Sequence, residues 1–237
     1  MVAAVLPAAA QLCKPQDLQG PYGFQLSGTT TISGDSKPVA SMGRLDFDGQ
    51  GAVSGSSSVN FAGYFLGNPV TGSYEAHADC TIDWSLQDDS GAFQHFTGTL
   101  TPDLQRATFH QTDPGGARNG TLAKVANVCS NAGLQARYGF SITGSAIPMN
   151  PGETAHSISI EGVLTADAAG NLAIISAGAA TPAGNASVDS DCIVAMDLTP
   201  PEGATMKFRG ILVSGGKEIL AIETDPGATV NARLRSR

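Results

Sequence analysis

Gln111-Thr112-Asp113-Pro114-Gly115 returns as Glu223-Thr224-Asp225-Pro226-Gly227, 112 residues further along a chain of 237. The recurrence extends well beyond the turn. Leu18-Gln19-Gly20-Pro21-Tyr22-Gly23-Phe24-Gln25-Leu26-Ser27-Gly28 lies on Leu134-Gln135-Ala136-Arg137-Tyr138-Gly139-Phe140-Ser141-Ile142-Thr143-Gly144 at an offset of 116. Gly43-Arg44-Leu45-Asp46-Phe47-Asp48 lies on Gly162-Val163-Leu164-Thr165-Ala166-Asp167 at 119, and Asp79-Cys80 on Asp191-Cys192 at 112. Glycines, cysteines, tyrosines and turn residues matching over about 110 positions mark an internal duplication. Whatever one half folds into, the other must fold into as well.

Within each half the apolar period is two. Phe24, Leu26 and Gly28 alternate with Gln25 and Ser27; Ile82, Trp84 and Leu86 fall opposite Val194, Met196 and Leu198; Phe96 and Leu100 fall opposite Phe208 and Leu212. Side chains on a strand point alternately to the two faces, so each set defines one buried and one wet face. No stretch sustains a period of 3.6. Turn signals such as Ser33-Gly34-Asp35, Asp48-Gly49, Asp89-Ser90-Gly91 and Asp113-Pro114-Gly115 recur along the chain. Only 14% of residues are charged and 29 are glycine, which suits short strands and tight turns. The pattern predicts an all-β protein of two tandem antiparallel barrels, residues 12–125 and 126–237, with about eight strands each. A pair of two-sheet β-sandwiches is the competing architecture.

Four cysteines allow three pairings. Cys13 precedes Tyr22 by nine residues as Cys129 precedes Tyr138, and Cys80 and Cys192 share the Asp-Cys position. The duplication therefore selects Cys13–Cys80 and Cys129–Cys192, and structural bridges place the chain in an oxidising compartment. Residues 1–11 read as a signal-peptide remnant or a disordered start, with small residues at Ala8 and Ala10 where a signal peptidase would cut. The expected location is secreted, periplasmic or cell-surface. A net charge of −8 argues against a nucleic-acid partner, and no stretch is long and apolar enough to predict a membrane span. The one basic cluster, Arg233-Leu234-Arg235-Ser236-Arg237, reads as a frayed tail.

Tyr-Gly-Phe at 22–24, the Leu45-Asp46-Phe47-Asp48 turn, Asp79-Cys80 and Thr112-Asp113-Pro114-Gly115, each with its copy, resemble a small β-repeat of uncharacterised exported bacterial proteins. The strand count is similar to calycin or allene-oxide-cyclase-like barrels. The resemblance implies a fold and export, and it transfers no catalytic residue.

Candidate sites are few. Asp46, Asp48 and Gln50 with Gly51 have the look of the start of a calcium loop, but Ser57 stands where a bidentate Glu is required. Asp48 and Gly51, repeated as Asp167 and Gly170, are also what a hairpin turn needs, and that is the preferred reading. His77, His95 and His110 sit in the first copy without metal-site spacing, so no metal or cofactor is expected. The asymmetry that stands out is aromatic: eleven rings in the first copy against Tyr138, Phe140 and Phe208 in the second. Phe61, Tyr64 and Phe65 lie in a segment that the second copy shortens and fills with small residues. These three, with Trp84 beneath them, form the expected binding end for a small hydrophobic molecule. The function class is an exported non-enzymatic protein, either such a binder or a surface or matrix module. A barrel isomerase or cyclase is the alternative, with the histidines, Glu75 and Asp83 as raw material.

Overall fold

The computed structural model describes residues 13–134, 136–150, 154–201 and 203–237; the segment 1–11 read as a signal remnant lies outside them. The first half forms β1 (Gln19–Ile32), β2 (Asp35–Asp48), β3 (Ala52–Phe61), β4 (Tyr64–Ala76), β5 (Thr81–Asp88), β6 (Phe93–Leu100), β7 (Arg106–Gln111) and β8 (Gly116–Lys124). Each strand pairs antiparallel with the next, and β8 returns to β1, closing a barrel. The second half repeats this with β9 (Ala136–Ala146), β10 (His156–Ala166), β11 (Asn171–Ser176), β12 (Ala179–Val188), β13 (Ile193–Leu198), β14 (Met206–Val213), β15 (Glu218–Glu223) and β16 (Ala228–Ser236), closed by β16 on β9. Closure excludes the sandwich, because a sandwich leaves sheet edges and here the end strands pair with each other.

The repeated motifs do the same structural work twice. Tyr22 Oη donates to the Leu104 carbonyl at 2.8 Å, and Tyr138 Oη donates to the Gly216 carbonyl at 3.1 Å. Asp113 Oδ2 accepts the His95 N–H at 2.8 Å, and Asp225 Oδ2 accepts the Lys207 N–H at 2.9 Å. The carbonyl ending each Asp-Pro-Gly turn then takes an N–H from the first hairpin of its barrel: Thr31 to Gly115 at 2.9 Å and Ile147 to Gly227 at 2.7 Å. The recurring turn is thus a bracket that ties the seventh strand to the sixth and to the barrel's first hairpin. The disulfides Cys13–Cys80 and Cys129–Cys192 form as the duplication requires. Closing loops of 67 and 63 residues stabilises each half by about 4 kcal/mol in the chain-entropy model.

The barrels pack side by side through outward-facing residues that depart from the polar pattern. Ala40 and Met42 on β2 and Ala123 on β8 join one core with Ile211, Val213, Leu220 and Ile222 of the second barrel. Two amides lock the contact. Gln25 Nε2 donates to the carbonyls of Ala221 (2.6 Å) and Ala232 (3.0 Å), and Asn60 Nδ2 to those of Glu223 (3.0 Å) and Ala228 (2.7 Å). Arg44 Nη1 meets Asp191 Oδ1 at 2.8 Å across the same boundary.

Candidate ligand-binding end of the first barrel

The first four strands, of 10 to 14 residues, are longer than the other four of the first barrel, of 6 to 9, and this builds the site. β4 runs from Tyr64, yet its pairing with β5 begins only at Val70↔Asp88, so Tyr64–Pro69 is bonded to β3 alone. The β1–β4 sheet therefore projects past the barrel, and its inward face continues the lumen. Register places Arg118, Gly28, Val39, Phe61 and Tyr64 in one cross-strand row. Residues paired directly across an antiparallel ladder share a face, about 4.8 Å apart per strand. At the far end of the row Tyr64 is 60% exposed, with Leu66 (56%) and Ile32 (48%) on the same face.

The polar end of the row is Arg118, only 8% exposed. Its Nε donates to Gln111 Oε1 at 2.5 Å, and Gln111 Nε2 donates to Asp113 Oδ2 at 2.8 Å. Burial pulls the guanidinium below the usual arginine range, and Asp113 works against that. A cation at one end of an apolar row can orient an amphipathic molecule by an acidic group.

Of the sequence-predicted residues, Phe61 and Tyr64 are brought together as directly paired neighbours. Phe65 points to the opposite face of β4 and packs against the core of the second barrel. Trp84 lies deep in the lumen, where it pairs with Tyr74, ten residues along β4 from Tyr64, and stacks on Phe96 with centroids 5.3 Å apart. The length of β4 separates it from the hairpin. Sequence reasoning passed over Arg118, Leu66 and Ile32. The signal for Arg118 was a charge in the inward phase of β8, whose neighbours in that phase are Gly120 and Leu122.

The remaining candidates face outward. Asp48 Oδ1 accepts the N–H groups of Gln50 (2.7 Å) and Ala52 (2.9 Å), which hold its carboxyl below the usual range. Asp167 does the same for Ala169 and Asn171, so both are turn caps. Asp46 is bound to Arg44 at 3.2 Å. His77 pairs with Asp83 at 2.8 Å, which raises its pKa, and His95 pairs with Asp113 at 2.7 Å. His77 and Asp83 lie on the barrel's outer surface, whereas Asp113 links the outward-facing His95 to the inward Gln111 and Arg118. Among the described residues no group of three or more His, Cys, Asp or Glu could hold a metal ion, and no helix is long and apolar enough to cross a membrane.

No family model and no curated protein matches the chain. Among solved structures it is similar to the isotype 1 transferrin binding protein B from serogroup B Neisseria meningitidis, at 6% identity and a TM-score of 0.33, over 92% of this chain and 75% of that one. A likeness at that level carries no argument about function. What the fold itself defines is a protein of two antiparallel eight-stranded barrels, which fits the calycin-like type. Its two disulfides fit an extracytoplasmic setting.

Proposed function

We propose that the chain is an exported, non-enzymatic binding protein of two domains, 12–125 and 126–237, and that the projecting end of the first barrel takes a small apolar or aromatic molecule. The observation that carries this reading is the exposure of Ile32, Tyr64 and Leu66 on the inward face of a sheet that overhangs the lumen. Tyr64 and Leu66 are neighbours on that face and Ile32 stands at the β1 end of the same sheet, and water contact with large apolar side chains on one face is the ordinary mark of an interaction site. Copy two supports the argument by contrast: it closes the same fold with Gly144, Ile158 and Val230 in the matching row. Stability does not require the rings. Arg118 in place of Val230 favours a ligand with an acidic group at one end.

The test replaces Tyr64 and Leu66 with Ser and follows thermal unfolding together with saturable uptake of an anionic hydrophobic fluorophore. Uptake that falls about tenfold at an unchanged melting temperature supports the site. Unchanged uptake removes it, and the chain is then better read as a surface or matrix module. The tightly filled lumen around Trp84, Phe96 and Phe109 favours that second reading.

A further inference from the structure

The basic end of the chain is not a loose tail. β16 runs to Ser236 and turns Arg233 and Arg235 outward, with Arg237 following. Glu218, opposite Arg235 in register, is buried. Its Oε1 accepts from Arg233 Nε and from Arg235 Nε at 3.1 Å, and its Oε2 accepts from Arg106, which reaches across from the first barrel. One carboxylate therefore holds three guanidiniums. Burial first, then the neighbouring guanidiniums, lowers the pKa of Arg106 and pushes that of Arg233 down to about 10.

More positive charge gathers around this trio. Arg237 N–H donates to the Arg137 carbonyl at 2.9 Å, and Ser236 N–H to the Lys217 carbonyl at 2.8 Å. Six of the chain's 13 Lys and Arg thus meet at one end of a molecule whose net charge is −8. Glu218 takes only the Nε donors of Arg233 and Arg235. Their terminal nitrogens have no acceptor among the described residues, and neither Arg137 nor Arg237 has an ion-pair partner there.

Arg233, Arg235 and Arg237 border a hollow of about 330 Å³ on the outer face of the second barrel, floored by Gly139 and Ser141, with Glu161 at its side. Gly139 leaves room for Arg237: a Cβ would stand 2.6 Å from Arg237 Nε, so any larger residue would displace that guanidinium from the sheet. We propose that this hollow binds a phosphoryl group. Three guanidinium forks presented in a row by alternate residues of β16 and its end can share the three free oxygens of a tetrahedral oxyanion, where a planar carboxylate offers two. The uncompensated charge exceeds one, which matches a dianion. The site lies on the second barrel and stands apart from the apolar end of the first.

Titration calorimetry with inorganic pyrophosphate at about 50 mM salt tests it. The expected dissociation constant lies below about 1 mM and rises about tenfold in Arg235→Ala and in Arg237→Ala, each the loss of one charge-assisted contact. Glu161→Gln should tighten binding by removing a like charge, and added salt should weaken it. These side chains are outward-facing, and unchanged melting curves would confirm that the variants fold. An absence of saturable heat, or equal affinity in wild type and both arginine variants, would overturn the site. Vesicles containing phosphatidylglycerol identify the source of the phosphate. Binding to vesicles and pyrophosphate points to a lipid headgroup, and binding to pyrophosphate alone to a soluble phosphate. Vesicle binding without pyrophosphate binding would overturn a discrete phosphoryl pocket.

Discussion

The two barrels share their brackets and differ in their filling. In the first, Trp84, Phe96 and Phe109 interlock, with centroids 4.9 to 5.7 Å apart. In the second, the same positions hold Met196, Phe208 and Ala221, and the wall makes up the volume: Ile219 stands for Ala107 and Ala232 for Gly120. That last exchange has a steric cause, since a Cβ on Gly120 would come within 2.4 Å of the Phe109 ring. With Ala221 in place of that ring, Ala232 fits. Closure is thus specified by hydrogen-bonded turns and disulfides common to both copies, and the lumen accepts any contents of suitable volume. The first barrel then had rings to spare for its projecting end.

The sharpest way to break this equivalence is to empty both lumens. Trp84→Ala should cost roughly 3–5 kcal/mol and fall at the upper end, because it also forfeits two ring contacts of about 0.5–1.5 kcal/mol each. Met196→Ala should cost roughly 2–5 kcal/mol and fall lower. Denaturant unfolding of the two variants checks the order. Equal losses would mean that the aromatic cluster adds nothing beyond volume.

A smaller difference concerns one inward polar position. Gln111 of the first barrel is satisfied by Arg118 and Asp113. Its counterpart Glu223 is buried among apolar neighbours, and its Oε2 has no hydrogen-bond partner. Burial, and then Asp225, push the Glu223 carboxyl up from 4.5 to about 7. The folded state therefore holds a proton that the unfolded chain has released. Stability from this group is present below about pH 4.5, falls as pH rises towards 7, and is flat above that, by roughly 3 kcal/mol in all. Glu223→Gln should flatten the profile of melting temperature against pH. Gln111→Glu should create a weaker slope in the first barrel, because Arg118 opposes the upward push that the neighbouring Asp113 carboxylate would exert on the new group.

Much of this was legible in the sequence because duplication turns single residues into pairs. The Cys13–Cys80 and Cys129–Cys192 bridges and the eight-strand count follow from matched positions alone. The contact between barrels was less legible, although Ile219-Leu220-Ala221-Ile222 is apolar in both phases, as a strand buried on two faces must be. Ala40 and Met42 gave the same signal more faintly. What the sequence could not carry was distance along a strand. Phe61, Tyr64 and Trp84 share an inward phase, but only the register shows that Trp84 pairs with Tyr74 while the hairpin projects beyond it. Phase names a face, and register names a height.

The smallest expected effect tests the brackets themselves. Tyr22 and Tyr138 each send a hydroxyl to a carbonyl at equivalent positions, Leu104 and Gly216. Their surroundings differ. Tyr22 lies edge-on to Phe47 at 5.5 Å and beneath Lys124 Nζ at 4.6 Å, whereas Tyr138 has Ala166 and Ser236 in the corresponding places. Replacing tyrosine by phenylalanine removes the hydroxyl and keeps the ring, so those unequal ring contacts survive. If the bracket holds each barrel in the same way, Tyr22→Phe and Tyr138→Phe should each cost about 1 kcal/mol and agree within about 0.5 kcal/mol. Urea midpoints measured side by side would decide. A loss confined to Tyr22→Phe would mean that only the first barrel relies on the hydroxyl, since its ring contacts survive the exchange. The Tyr138 bond to Gly216 would then be a relic of the duplication and no longer a working part of closure.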